Sequence, residues 1–577
     1  MGKVHDGKIV TTSGFKFNAN APLDDRAVVL SHADLNDIPA YEGIEVYVKA
    51  EKKSYKYMAG NWVAVATEDY VTKAIENLNI QAGSMNVLTP EMFGAVGDGS
   101  TDDTAALQAM IDAATDGKVF LFTSANGYRV GSTLNIRNKH HLTFAHANLI
   151  FGDSSTSRLE ACIKIWEGSS NISFENCSFI YGSQVIWLWA CENIRVSRCA
   201  FDGCGYCVIQ QLGYVSDHVF VTDNLAKNCV QDFVECNCEV DAPSKNWTVT
   251  GNIYVRDEKP VAPAKQECRF LGATAIRNMI ISNNIIENVR GDSCISLEDP
   301  YGEIVIDGNT FTDCIGTGYI QIIHGDKNTI VSNNHFVNTM AGNGTPFIYL
   351  YDSGSVSPYT KEFSVIVEGN LFNGNGTQAN PLVNIDYTSY PFIIKSNVFR
   401  NIGVMFDHVG GQNISFDGND VMCATFFLVD ASKAGYTQNS TFSNNRIVGD
   451  ITITNDYNGK VCSGLSFTGN YMDGTVRITN AKDVLFAGNT FTKTSVFTFD
   501  ANGYYSERME RYGNFQVGVG LLEPRVLDED GIVQEPGDST TAVMSQKAAT
   551  DLFASKSDIT DLQAALIGVS NLIGGDT

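Results

Sequence analysis

No apolar run in this 577-residue chain approaches the ~20 residues needed to span a bilayer. The first residues, Met-Gly-Lys-Val-His-Asp6, carry no apolar signal region, so insertion into or export across a membrane is not expected. Positive charge is also short: 40 Lys and Arg stand against 65 Asp and Glu, a formal net charge of −25. That balance argues against nucleic acid as a partner and disfavours an anionic ligand unless cations are gathered locally. Histidine is scarce, at nine residues, and no Ser-His-Asp order suggests an esterase. No acidic cluster reads as a calcium loop, and no Cys pair has the second pair a zinc site needs. Neither a metal nor a cofactor is called for.

What the chain does have is repetition. Ile304-Val-Ile-Asp-Gly-Asn-Thr-Phe311 returns as Ile414-Ser-Phe-Asp-Gly-Asn-Asp-Val421, Leu465-Ser-Phe-Thr-Gly-Asn-Tyr-Met472 and Val484-Leu-Phe-Ala-Gly-Asn-Thr-Phe491. Its Asn recurs at Asn224, Asn252, Asn284, Asn309, Asn334, Asn370, Asn397, Asn419, Asn445, Asn470 and Asn489, with Cys177 and Cys199 in the same slot earlier. The period is roughly 26 residues, within the range of repeat architectures. Alternation at period two is a strand with one buried face. The Gly/Asn-Asn pair supplies a bend, because both residues tolerate left-handed backbone. A second apolar run follows each bend, such as Ile295 to Leu297 or Ile320 to Ile322. Each repeat is then one coil of strand, bend, strand and loop. Stacked coils pair their strands in parallel, giving an all-β, right-handed parallel β-helix solenoid. A leucine-rich repeat lacks its Leu pattern here, and a β-propeller lacks its blade signature. Twelve of the fourteen cysteines lie between Cys162 and Cys314 and read as small buried residues of the solenoid interior, made in a reducing compartment.

Residues 1–80 read as a small β module, with alternation at Ile44 to Val48 and Tyr55 to Met58 and a turn at Ala59-Gly-Asn-Trp62, followed by a helix over 68–78. Residues 81–117 are a linker and a helix with the stripe Leu107, Met110, Ile111 and Ala114, capped by Asp102 or Asp103, which would close the first coil. The solenoid spans 118–500 and a connector 501–540. In 541–577 the seam Leu552, Ile559, Leu562, Leu566, Val569 and Ile573 has coiled-coil spacing.

Three phrases in this layout resemble known proteins. Phe93-Gly-Ala-Val-Gly-Asp-Gly-Ser-Thr-Asp-Asp-Thr-Ala-Ala-Leu107, with Lys118-Val-Phe-Leu-Phe122 and Gly127-Tyr-Arg-Val130, resembles the opening motif of the pectate-lyase-like superfamily, which includes phage tailspike depolymerases. Tyr41 to Trp62 and Ser545-Gln-Lys-Ala-Ala-Thr-Asp551 resemble segments of bacteriophage tail proteins. The resemblance implies a tailspike on a virion, assembled in the host cytoplasm. It would be attached to tail or baseplate proteins through the N-terminus, trimeric through the C-terminal seam, and act on a bacterial surface polysaccharide. A non-catalytic receptor-binding or structural tail protein is the alternative.

A solenoid carries its site as a stripe on one outer face. Taking Ile295 and Leu297 as inward sets Ser296 and Glu298 outward. The same register exposes Trp187, Trp189, Glu235, Asn237, Arg269, Gln321, Tyr349, Tyr351, Asn384 and Asp386. Aromatic faces stack on sugar rings and carboxylates supply acid–base groups. Glu235 and Glu298, placed two coils apart in one column, would be about 9.6 Å apart with Arg269 between them, the loose end of the spacing for an inverting glycosidase. In a lyase Arg269 would be the base or would neutralise a uronate. Arg290-Gly-Asp-Ser-Cys-Ile295 resembles the polygalacturonase Gly-Asp-Asp-Cys motif, with Ser293 in place of the second Asp and only Ile323-His-Gly325 as an echo of the downstream Gly-His-Gly. That resemblance nominates Asp292 and His324.

Overall fold

The computed structural model describes residues 3–5, 8–10, 28–38, 44–48, 50–51, 53–64, 86–154, 156–258, 268–323, 328–351, 364–385, 391–407, 411–429, 437–454, 462–492, 497–499 and 507–522. The helix read over 68–78 and the heptad seam of 541–577 lie outside those residues. The chain divides into two units, Met1–Val87 and Leu88–Thr577. In the first, strands Glu45–Val48, Lys53–Met58 and Asn61–Ala64 form the expected antiparallel meander, and Val28–Val29 adds a parallel strand. Its small core is Leu35, Val46, Val48 and Tyr55.

The second unit is a parallel β-helix. A coil takes a strand such as Ile414–Asp417 or Arg277–Ser282, bends at the Asn, runs a short strand such as Ile285–Glu287, turns, and runs a third strand such as Ser293–Glu298. Each strand pairs in parallel with its counterpart one coil on. The third strands form their own sheet, from Leu134–Arg137 to Leu382–Ile385. Beyond it the strands after the bend lengthen, as in Val398–Asp407 and Asp420–Val429.

The bend is built as its residues dictate. The position before each ladder residue has positive φ, whether Gly (Gly308, φ 67°), Asn (Asn333, φ 54°), Asp (Asp223, φ 58°) or Ser (Ser396, φ 56°). This turns the Asn side chain inward, where it is fully buried. From Asn252 onward each amide oxygen accepts from the backbone and side-chain N–H groups of the preceding coil's Asn. Asn334 Oδ1 takes Asn309 N and Nδ2, both at 2.9 Å. Each amide nitrogen donates onward and back, Asn334 Nδ2 to Asn370 Oδ1 at 3.0 Å and to the Ile306 carbonyl at 2.8 Å. The series runs unbroken from Asn224 to Asn514, one coil beyond the last Asn in the repeat pattern. Cys177 and Cys199 keep the slot, their thiols donating backward to the Phe144 and Phe174 carbonyls, and the Cys199 backbone N–H donates onward to Asn224 Oδ1 at 2.8 Å. Phenylalanines stack beside this ladder at coil spacing, with Phe311, Phe336, Phe372 and Phe399 4.7–4.8 Å apart in succession.

The helix Thr104–Ala113 covers the first coil with Leu107, Met110 and Ile111 buried. Its two candidate caps divide the work. Asp102 Oδ1 accepts the Thr104 N–H at 3.0 Å, while Asp103 accepts Val96 N and Gly97 N at 2.6 and 3.0 Å, tying the glycine turn to the helix. The twelve cysteines from Cys162 to Cys314 are buried thiols, and Cys423 is a half-buried one.

Asn334→Ala would strand the Asn309 donors and the Ile306 carbonyl without water. The expected loss is about 2–4 kcal/mol, read by urea unfolding of the purified chain. An unfolding midpoint equal to wild type would show that the ladder is not needed for stability.

Candidate functional site

The outer surface of the third sheet carries two outward columns, separated by an inward one. The inward column between them is Ile165, Leu188, Gln210, Cys236, Ala273, Leu297, Ile322 and Leu350, all buried. One residue before it on each strand runs the first outward column, Lys164, Trp187, Ile209, Glu235, Gly272, Ser296, Gln321 and Tyr349. Two residues beyond the first, on the other side of the inward column, Asn237, Thr274, Glu298, Ile323 and Tyr351 form the second, and Trp166 pairs with Trp189 in the same position. Trp187, Trp189, Gln321, Tyr349 and Glu298 are half-buried on this surface.

Three expectations of register need correction. Arg269 does not occupy the outward column, because Gly272 holds the rung between Glu235 and Ser296. Glu235 and Glu298 do not share a column. Glu298 is level with Asn237, so the pair is two coils and two residues apart, about 12 Å between Cα positions by strand rise and spacing. Asn384 takes the rung of Leu350, whose side chain is buried, and Val383 that of Tyr349, a one-residue slip that exchanges the faces. His324 and Asp386 lie outside the described residues. Asp292 is exposed, ahead of the strand Ser293–Glu298, apart from the two columns.

The centre of the face is a buried ion triad. Arg269 donates its backbone N–H to Asp232 Oδ1 at 2.8 Å and its Nε–H to Asp232 Oδ2 at 2.9 Å. Its Nη2 lies 3.5 Å from Glu235 Oε2. Asp232, Glu235 and Arg269 are at most 7% exposed. Gly272 makes the arrangement possible: a Cβ there would stand 2.2 Å from Glu235 Oε2 and 3.1 Å from Arg269 Cζ. The guanidinium therefore lies across bare backbone, and its fork holds two carboxylates in fixed positions. Charges drawn out of water in this way are stable only while paired. Asp232 went unread in the sequence, although Asp232-Phe-Val-Glu235 sets two carboxylates three residues apart at the start of a third strand.

A second cluster lies on the coils before the triad. Lys164 Nζ sits 4.1, 5.3 and 3.5 Å from the ring centroids of Trp166, Trp187 and Trp189. Trp187 and Trp189 meet edge to face at 4.8 Å, and Tyr214 packs on Trp189 at 4.6 Å. Sequence reading found Trp187 and Trp189 but not Lys164 and Trp166, although Lys164-Ile-Trp166 repeats the spacing of Trp187-Leu-Trp189 one coil earlier.

Comparison with known proteins gives three kinds of likeness. Residues 146–346 match a family described as periplasmic copper-binding protein (NosD). Among the described residues no three His, Cys, Asp or Glu side chains are grouped as a metal site requires. A capsule K30/K69-specific depolymerase of Klebsiella phage K64-1 is 28% identical over 321 residues, 54% of this chain and 37% of that protein. The chain thus spans little more than a third of the relative's length. Among solved structures, the Streptococcus pneumoniae surface adhesin PfbA aligns with TM-score 0.38 and 14% identity, over 74% of this chain and all of that one. The catalytic unit of an α-1,3-glucanase from Streptomyces thermodiastaticus aligns with TM-score 0.32 and 14% identity, over 76% and 69%. The resemblance to phage depolymerases carried by the motifs is thus met by a relative that is one.

Gly272→Ala is expected to push Glu235 and Arg269 apart and to destabilise the solenoid by about 1–3 kcal/mol. Gly344→Ala, where a Cβ meets nothing within 4 Å, serves as control and should change little. Equal thermal unfolding of the two variants would contradict the role given to Gly272.

Proposed function

We propose that this chain is a phage tailspike that binds and depolymerises a bacterial capsular polysaccharide by glycoside hydrolysis. The observation that carries the reading is the third sheet's outer face, where Trp187 stands two rungs from Glu235, which Arg269 holds, and Glu298 stands in the second outward column. A glycan laid across the strands meets rings that stack on sugar C–H faces and carboxylates that act as acid and base. The phage relative supports the substrate class.

Glu235 is the fixed member, held by Arg269. Glu298 is half-buried and has no ion-pair partner among the described residues. With Cα positions about 12 Å apart, the two side chains can reach toward each other and still leave room for a water on the far side of the sugar. That favours inversion over retention, which needs carboxyl groups about 5–5.5 Å apart. Arg269 is engaged by Asp232 and Glu235, so it is poorly placed to serve as the proton-abstracting base of a lyase. In this reading the Met1–Val87 unit attaches the protein to tail or baseplate proteins and the C-terminal heptads hold a homotrimer. The phage relative again supports placement on a virion.

The test incubates the full chain with a panel of purified Klebsiella capsular polysaccharides, K30 and K69 among them, and follows reducing ends and unsaturated products. Wild type should release reducing ends without unsaturated sugar. Glu298→Gln and Glu235→Gln, each checked for folding, should lower kcat by about 10²-fold or more. Binding without release would make the protein a receptor-binding tail component. Unsaturated product would make it a lyase, and unchanged variants would place the site elsewhere.

A further inference from the structure

The aromatic cluster around Lys164 has a chemical bias that stacking alone does not explain. The indole Nε1 atoms of Trp166, Trp187 and Trp189 are all buried without a hydrogen-bond partner. Lys164 lies across the three rings with no carboxylate within ion-pair distance among the described residues. The Arg137 guanidinium stands 4.7 Å from the Trp166 ring and pairs with Glu167 at 2.6 Å. An indole N–H and an ammonium are donors only. Lys164 and the three indoles therefore offer four donor groups and no acceptor, in a chain whose net charge is −25. Burial against the rings lowers the Lys164 pKa, while Glu167 partly restores it. A site of this kind is completed by a ligand rich in acceptor oxygens and negatively charged, with an apolar face for the rings.

We propose that Lys164, Trp166, Trp187 and Trp189 form a subsite that reads the carboxylate of an acidic sugar, at a distance from the bond that is cut. The proposal rests on the reading that this outer face takes a glycan. Trp187 and Glu235 stand in the same outward column two coils apart, about 10 Å, so one chain of sugars crossing the strands reaches both. The carboxylate draws the ammonium away from the rings, and the uncovered indole N–H groups then donate to sugar oxygens. Lys164 thus sets specificity and affinity without touching the reacting atoms.

The experiment uses the full chain and whichever capsular polysaccharide of the panel it binds. That polymer is tested native and after chemical reduction of its carboxylates to alcohols. Three of the chain's five tryptophans lie in this cluster, so tryptophan fluorescence reports its occupancy. Wild type should bind the native polymer at least about tenfold more tightly than the reduced one, a difference of about 1.4 kcal/mol. Lys164→Gln should erase that preference, raising KM for the native polymer while leaving kcat and binding of the reduced polymer unchanged. Lys164→Arg should restore most of it. If Lys164→Gln cleaves and binds as wild type does, the subsite is wrong and the depolymerase reading stands. If Lys164→Gln alters the oligomeric state and not glycan affinity, the cluster is a contact between copies of the chain, which also overturns the proposal. A wild type that neither binds nor cleaves any polymer of the panel removes both readings.

Discussion

Each coil from Asn224 onward ends its first strand on a side-chain amide sealed from water, and each amide bonds to the coils beside it. A buried amide without partners is costly, so every coil needs the next one to be in register. The left-handed residue before each Asn aims it inward, and the phenylalanines stacked at 4.7–4.8 Å fill the space beside it. The polar ladder and the aromatic stack demand the same spacing. That agreement lets a variable repeat length coexist with a constant rise, because the extra residues go into loops between fixed strands. At its N-terminal end the ladder tapers to Cys199 and Cys177, whose thiols reach back to a carbonyl but have no amide oxygen to offer, and the helix Thr104–Ala113 closes the stack beyond them.

A fixed rise turns residues distant in sequence into neighbours on a face. The third sheet uses this twice. Around Gly272, omission of a side chain lets Arg269 lie flat between Asp232 and Glu235. Around Lys164, three large rings and one cation gather on adjacent rungs. Both constellations occur only where the third strands form a separate sheet, before the coils change cross-section after Leu382–Ile385. The architecture thus confines the candidate chemistry to the first part of the solenoid.

Much of the fold was legible because it is written in local terms. Period-two alternation and the Gly/Asn-Asn bend act within eight residues, and the observed φ values at Gly308 and Asn333 are those the bend calls for. Asn514 extends the ladder behind Gly513, in a coil whose strand carries Arg511 where others carry an apolar residue, so the pattern was interrupted there. The site was less legible for a different reason. Its residues are positioned by partners in other coils, and a register taken from apolar residues alone slips where a strand is weakly marked. Leu271-Gly-Ala-Thr274 has no bulky residue on its outer face, so Arg269 was assigned a rung that belongs to Gly272. Leu382-Val-Asn-Ile385 reads equally well one residue over, so Asn384 was turned outward. Asp232 and Lys164 had only a recurring spacing to announce them.

The central claim is that a single glycan crosses the strands on the outer face of the third sheet, running along the stack of coils. The most direct measurement is a crystal structure of the Glu298→Gln chain soaked with an oligosaccharide of its own polymer. The account predicts sugar density continuous across the rungs of Tyr349, Glu235 and Trp187, with the chain direction parallel to the solenoid axis. Density bound to another sheet, or to a seam between copies with this face bare, would contradict it.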